Sequence, residues 1–212
     1  MSLKRRVALV AKELLDRMVA AAALAVLAPV MVPVAVLVRL DSKGPVLFRQ
    51  IREGRHGKPF SVYKFRSMVV DAEARAGGTV TRLDSSFVTP LGRFLRRSSL
   101  DELPQLFNVL YGDMSLVGPR PLLPGSVGVT EARRQSMKPG CTGLVVVRGR
   151  QLLSWEERMK LDLWYVDHWS LWLDVEILVK TIPAALSGRG VYDAQNETKI
   201  RTPIRFASPL PN

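Results

Sequence analysis

The sequence is poor in cysteine and in negative charge, and it carries no internal repeat and no domain linker. Its single cysteine, Cys141, excludes an intrachain disulfide and a cysteine-based metal cluster. One cysteine is compatible with a reducing compartment. Without a linker, the 212 residues read as one unit large enough to bury its own core. Asp and Glu number 19 against 31 Lys and Arg, a formal charge of +12. That deficit of negative charge implies anionic partners: nucleic acid, anionic lipid or phosphorylated substrates. No recognised nucleic-acid-binding motif is present, and the basic residues cluster beside an apolar segment, so nucleic acid is not the expected partner.

Hydrophobic residues make up 47% of the chain, and their excess lies near the N-terminus. Val19 to Val38 holds no charged or strongly polar side chain and has about the length of one membrane-spanning helix. Three readings compete. A signal peptide needs a small-residue cleavage site, but Arg39, Leu40 and Asp41 follow the run. A straight span is a second reading. The third is a helix that enters the membrane, bends and leaves on the same side. Pro29 and Pro33 favour the bend, because each removes a backbone donor and clashes with the preceding turn. Both flanks are basic: Lys4, Arg5, Arg6, Lys12 and Arg17 precede the run, and Arg39, Lys43, Arg49, Arg52 and Arg55 follow it. Positive flanks prefer the cytoplasmic side, and only a re-entrant helix satisfies both. Each of these arginines near the surface gains about 1 kcal/mol from anionic headgroups.

Downstream, Val46–Arg49 and Phe60–Phe65 read as strands around the polar turn Arg52 to Pro59. Asp71 to Ser86 reads as a short helix and a mobile loop. Leu91–Arg97 and Leu103–Leu110 read as short helices, and Leu144–Val147 as a buried strand. Trp155–Trp164 and Leu171–Leu186 have helical spacing. Trp155, Trp164, Trp169 and Trp172 suit either a membrane interface or a core. The expected class is α+β: a membrane-associated, monotopic domain with a proline-kinked re-entrant helix, a short β-hairpin and several short and amphipathic helices. The expected division is a membrane helix over 1–40, a catalytic domain over 41–190 forming one unit with it, and an irregular tail over 191–212.

The most informative stretch is Ser98-Ser99-Leu100-Asp101-Glu102-Leu103-Pro104-Gln105. Ser99 followed by Glu102 fits a capping box, and Asp101 suits a helix start, so a purely structural role is open. The same geometry offers chemistry. Unpaired N–H groups at a helix start bind phosphate and keep a nearby carboxylate ionised, as an attacking oxygen must be. Arg96 and Arg97 just upstream could hold phosphate oxygens. Arg120 stands between Pro119 and Pro121, where a stiff backbone suits a phosphate clamp, or simply a surface turn. In Tyr63-Lys64-Phe65-Arg66, strand alternation puts Lys64 and Arg66 on one face, which forms a cationic surface or a solvated one.

These stretches closely resemble the monotopic phosphoglycosyl transferases, the bacterial sugar transferase family. The resemblance rests on Gly44-Pro45-Val46-Leu47-Phe48-Arg49-Gln50, on Tyr63 to Met68, on Ser99 to Leu110, on Gly112 to Pro121 and on Lys138-Pro139-Gly140-Cys141-Thr142-Gly143-Leu144. It runs from about Asp16 to Val191. It implies transfer of a phosphosugar from a UDP-sugar to polyprenyl (undecaprenyl) phosphate, the first membrane step of bacterial glycoconjugate (polysaccharide or glycan) biosynthesis. Asp101 would attack the β-phosphorus, expel UMP and carry the phosphosugar until the lipid phosphate takes it. Mg²⁺ is the implied cofactor, with Asp101 as a ligand and Glu102 as metal or proton partner. Lys64, Arg96 and Arg120 match positions expected to bind phosphate. The implied location is the bacterial cytoplasmic membrane, with the catalytic domain on its cytoplasmic face and membrane lipids as partners.

Two departures stand out. Ala28, where many members have Ser, precedes Pro29, so the bend must rely on Pro29 and Pro33. Arg148-Gly149-Arg150 replaces a common Asn-Gly-Arg, which leaves any contact there open. The start at Met1 implies a minimal catalytic form. Two other functions compete. A basic membrane adaptor explains the charge and the apolar run but not Asp101-Glu102 beside arginines. A phosphohydrolase would send the same acyl-phosphate to water. No motif specifies the sugar or the oligomeric state.

Overall fold

The computed structural model describes residues 3–76, 86–126, 128 and 131–186. The expected tail over 191–212 and the Gly77-Gly78 segment lie outside the described residues. A single helix, α1, runs unbroken over Leu3–Asp41 with Pro29 and Pro33 inside it. At 1.5 Å per residue it is about 58 Å long. It is long and apolar enough to cross a membrane. Its buried side chains fall in two groups, Lys12, Asp16 and Ala20 near one end and Met31, Val34 and Val38 near the other. Residues 21–30 between them include no buried side chain.

Strands β1 (Leu47–Glu53) and β2 (Pro59–Phe65) form an antiparallel hairpin, with Leu47 opposite Phe65 and Glu53 opposite Pro59. The turn is made by His56 and Gly57 in the left-handed region. Helix α2 covers Ala72–Ala76, and α3 covers Pro90–Ser98, capped by Thr89, whose side chain accepts from the Gly92 N–H at 2.9 Å. Helix α4 (Gln105–Tyr111) docks against the hairpin through Asn108, which is fully buried. Its Oδ1 accepts from the Tyr63 N–H at 3.0 Å and its Nδ2 donates to the Ser61 carbonyl at 2.6 Å. One amide side chain thus satisfies two peptide groups on the outer edge of β2.

Strands β3 (Ser115–Val117) and β4 (Gly140–Thr142) pair in parallel. Around them lies the main core, which includes Val109, Met114, Val117, Leu144, Tyr165 and Ile177. A second cluster joins Met31, Val34 and Val38 of α1 to Phe65 and Leu95. Leu144–Arg148 is helix α5, not the expected strand. Leu144, Val145 and Val147 are all buried, so the apolar run is real, but a short run has no periodicity to separate strand from helix. Helices α6 (Trp155–His168) and α7 (Leu171–Leu186) follow the helical spacing of the sequence. The tryptophans divide: Trp155 and Trp172 are exposed, whereas Trp164 and Trp169 pack on the core.

A buried polar network ties α1 to this body. Lys12 Nζ lies 2.6 Å from Asp174 Oδ2 and 3.4 Å from Asp16 Oδ2. Tyr165 and Trp169 also donate to Asp174, and Ser115 donates to Asp16. Buried charge is tolerated here because each carboxylate meets a cation or donors. At the other end, Arg66 donates to the carbonyls of Val38, Ser42 and Lys43 at 3.2, 2.6 and 2.9 Å, gripping the last turn of α1 and the two residues that follow it. Gly44, at φ +130°, leaves the room this guanidinium occupies.

Candidate active site

Asp101 sits in a 3₁₀ turn, Leu100–Glu102, between α3 and α4. The expected capping box is absent there. Ser99 adopts a left-handed conformation (φ 58°, ψ 15°), and its side chain caps nothing. Instead Ser99 Oγ accepts from Arg150 Nη1 at 3.1 Å, and Glu102 Oε1 accepts from Lys64 Nζ at 2.7 Å. Both residues of the motif have turned from the backbone to cations. The capping box of this protein lies elsewhere, between Ser154 and Glu157 at the start of α6. Asp101 therefore stands in a three-residue 3₁₀ turn and not at the start of an α-helix, which begins only at Gln105.

Four cations surround the two carboxylates. Lys64 comes from β2, with Asn108 holding that strand against α4. Arg96 comes from the last turn of α3, where its Nε donates to Ser67 Oγ at 2.9 Å. Gly92, one turn earlier, touches the Ser67 backbone so closely that any side chain would overlap it, which brings α3 down onto this segment. Arg120 reaches in from the Pro119–Pro121 turn, and its guanidinium makes no hydrogen bond among the described residues. Arg150 follows Gly149 and is held at φ 53°. That is a costly conformation for arginine, about 1 kcal/mol or more. Arg150 is the residue the sequence left open. No local signal separates it from Arg148, because its role depends on Ser99, 51 residues away.

These groups line a cavity of about 800 Å³. Asp101, Glu102, Lys64, Arg96, Arg120 and Arg150 form a polar part, while Pro45, Leu47, Phe48, Val69 and Val70 form an apolar part. Arg66 also borders the cavity, but its guanidinium is taken up by the end of α1, so Lys64 and Arg66 do not act as one cationic face. Pro29 and Pro33 lie in α1 and take no part in the cavity wall.

The two carboxyls are set apart electrostatically. Burial, helped by the Glu102 charge, lifts Asp101 to about 6 against the pull of Lys64 and Arg96. Burial also opposes ionisation of Glu102, but Lys64, Arg120 and Arg150 outweigh it and bring that group down to about 2. Glu102 is thus a fixed anion, while Asp101 is ionised near neutral pH but poorly stabilised. A carboxylate whose charge is disfavoured by burial gains by forming a bond to phosphorus. No group of three or more His, Cys, Asp or Glu able to hold a metal occurs among the described residues. Two carboxylates beside a roomy cavity nevertheless suit Mg²⁺, which takes one or two carboxylates and completes its shell with water and substrate phosphate.

A carboxylate pair ringed by four cations, in a cavity of this size, has the charge and room to receive an anionic, phosphorylated ligand. The sequence model described as Bacterial sugar transferase matches residues 7–188, and the chain belongs to that family. An uncharacterized sugar transferase, EpsL, of Bacillus subtilis is 45% identical over 168 residues, 78% of this chain and 82% of the relative. The UDP-glucose:undecaprenyl-phosphate glucose-1-phosphate transferase of Klebsiella pneumoniae is 40% identical over 200 residues, 87% of this chain and 42% of that protein. The undecaprenyl-phosphate galactose phosphotransferase of Salmonella typhimurium is 43% identical over 166 residues, 70% of this chain and 35% of that protein. The chain thus spans under half the length of these last two relatives.

Proposed function

We propose that this protein is a polyprenyl-phosphate glycosyl-1-phosphate transferase acting at the cytoplasmic face of a bacterial inner membrane. Its substrates are a UDP-sugar and undecaprenyl phosphate, the substrates printed in the names of relatives. The observation that carries the reading is the unequal pair: Asp101 raised and buried, Glu102 held as an anion, with four cations around them.

In the first step an Asp101 carboxylate oxygen attacks the β-phosphorus of the UDP-sugar. A phosphorus–oxygen bond forms as the bond between the two phosphorus centres' bridging oxygen and the β-phosphorus breaks, and UMP leaves with that oxygen. Arg96, Arg120 and Lys64 bind phosphate oxygens and offset the charge gathering on them. In the second step the lipid phosphate attacks the same phosphorus and frees the carboxylate. Asp101 and Glu102 would hold Mg²⁺ together with the diphosphate, and the ion would neutralise charge on the leaving group. Chelation with EDTA should stop UMP release, and added Mg²⁺ should restore it.

The membrane arrangement belongs to the same proposal. A straight span would carry one limb of α1 away from the catalytic body across the bilayer. Both limbs instead pack on that body, Lys12 against Asp174 and Val38 beside Phe65 and Leu95. This supports a re-entrant helix hinged near Pro29 and Pro33, whose buried-free stretch lies in lipid.

The deciding experiment incubates the detergent-solubilised protein with a panel of UDP-sugars and no lipid acceptor. Intact-protein mass spectrometry should find one added phosphosugar, mapping to Asp101, with stoichiometric UMP. Asp101→Asn should fold, reach the membrane and give neither product. An adduct on another residue, or steady turnover by Asp101→Asn, would sink the reading. UMP released continuously without lipid would indicate the phosphohydrolase.

A further inference from the structure

Arg120 is flanked by two prolines, and these fix the φ of Pro119 and Pro121 but not the torsions of Arg120 itself. What holds its backbone comes from elsewhere in the chain. The Arg120 carbonyl accepts from Arg134 Nη2 at 2.5 Å. The same Nη2 and the Nε of Arg134 donate to Asp162 Oδ2 at 2.5 and 3.2 Å. The Arg134 and Asp162 side chains are only 3% and 2% exposed, so the pair is sealed beneath the turn and outside the cavity.

A sealed ion pair is a weak source of stability, since apolar residues of similar volume commonly do as well or better. An apolar pair could not, however, grip a peptide group. We propose that Asp162 and Arg134 are positioning residues: Asp162 holds the Arg134 guanidinium, Arg134 holds the Arg120 carbonyl, and together they aim the Arg120 guanidinium at the substrate phosphate. The inference rests on the phosphate-binding role given to Arg120 above.

The test is a mutant cycle on the full chain in detergent, read as UMP release from UDP-glucose and UDP-galactose with polyprenyl phosphate. Arg134→Met combined with Asp162→Leu removes both charges together, so no buried ion is stranded and the fold is kept. Arg134→Lys keeps the charge pair but offers no fork to span Asp162 and the Arg120 carbonyl. Both should lower kcat/KM by about tenfold or more while the thermal midpoint of the apolar pair is kept. In an Arg120→Lys background, either change should add less than about a twofold further loss, because its route of action is already cut. The inference is overturned if both variants keep wild-type kcat/KM, or if their losses multiply in full in the Arg120→Lys background. Should the apolar pair not fold, Arg134→Lys alone decides between these outcomes. Arg120→Lys with wild-type kinetics would instead overturn the phosphate role of Arg120, a separate failure from that of the positioning pair.

Discussion

Asp101 and Glu102 are neighbours in the chain, yet their environments push them in opposite directions, one to about 6 and the other to about 2. That separation has a kinetic signature. Asp101 attacks only as the carboxylate, so the form that reacts is present above its pKa and disappears as pH falls through it. The kcat/KM for the UDP-sugar should therefore show an acid limb with a midpoint near 6. Glu102 should contribute no limb in that range, because it stays charged well below it. A profile flat through pH 6 would count against Asp101 as the attacking group. Arg120→Lys tests the neighbouring claim. It keeps the charge and loses the planar fork, and turnover should fall about tenfold or more, on the order of 1.4 kcal/mol. Wild-type kinetics in that variant would make Arg120 a turn residue only.

Among the elements, α4 and the hairpin decide where the cations of the site stand. Asn108 is the joint between them, with one acceptor and one donor spent on the β2 edge. Asn108→Ala would leave the Tyr63 N–H and the Ser61 carbonyl without these partners in a part-buried place. The expected cost is about 2 kcal/mol, read as a fall of several degrees in thermal midpoint. An unchanged midpoint would show that water replaces both bonds. The sequence marked α4 and the strands by spacing, but Asn108 has no local reason to be where it is. Its partners lie 45 and 47 residues away, beyond the reach of any helical or strand period. Leu144–Val147 is helical where its sequence reads as a strand for a related reason: a run buried on all sides is apolar whatever its backbone, and Gly143 and Gly149 delimit a helix as well as a strand.

For the whole molecule, the question is how a chain of charge +12 meets a membrane. Basic residues flank both ends of the apolar run, and both limbs of α1 are fastened to one body, by Lys12 to Asp174 and by Arg66 to the Val38 carbonyl in the helix's last turn. The proposed topology therefore puts residue 4 and residue 156 on the same, cytoplasmic side. Lys4→Cys and Glu156→Cys, each in a Cys141→Ala background, should resist an impermeant maleimide in intact cells and react after permeabilisation. Labelling of Lys4→Cys alone in intact cells would establish a straight span. Cys141 is a mild background to remove, because burial raises its thiol pKa and keeps it unreactive.

Several features of this protein were written in order along the chain. The apolar run, its basic flanks, the carboxylate pair, the proline-bracketed arginine and the helical spacing of α6 and α7 are local patterns, and a local pattern survives without knowledge of the fold. Folding settled the matters that depend on separation in space. Ser99 and Glu102 satisfy the rule for a capping box as well as Ser154 and Glu157 do, but only the second pair makes one. The first pair met Arg150 and Lys64, and charge-assisted bonds to these cations outweighed a backbone cap. Lys64 and Arg66 are alike in sequence, yet one faces Glu102 and the other covers the end of α1. Desolvation, which lifts Asp101, is a property of what surrounds a carboxyl in three dimensions, and no neighbour in the chain records it.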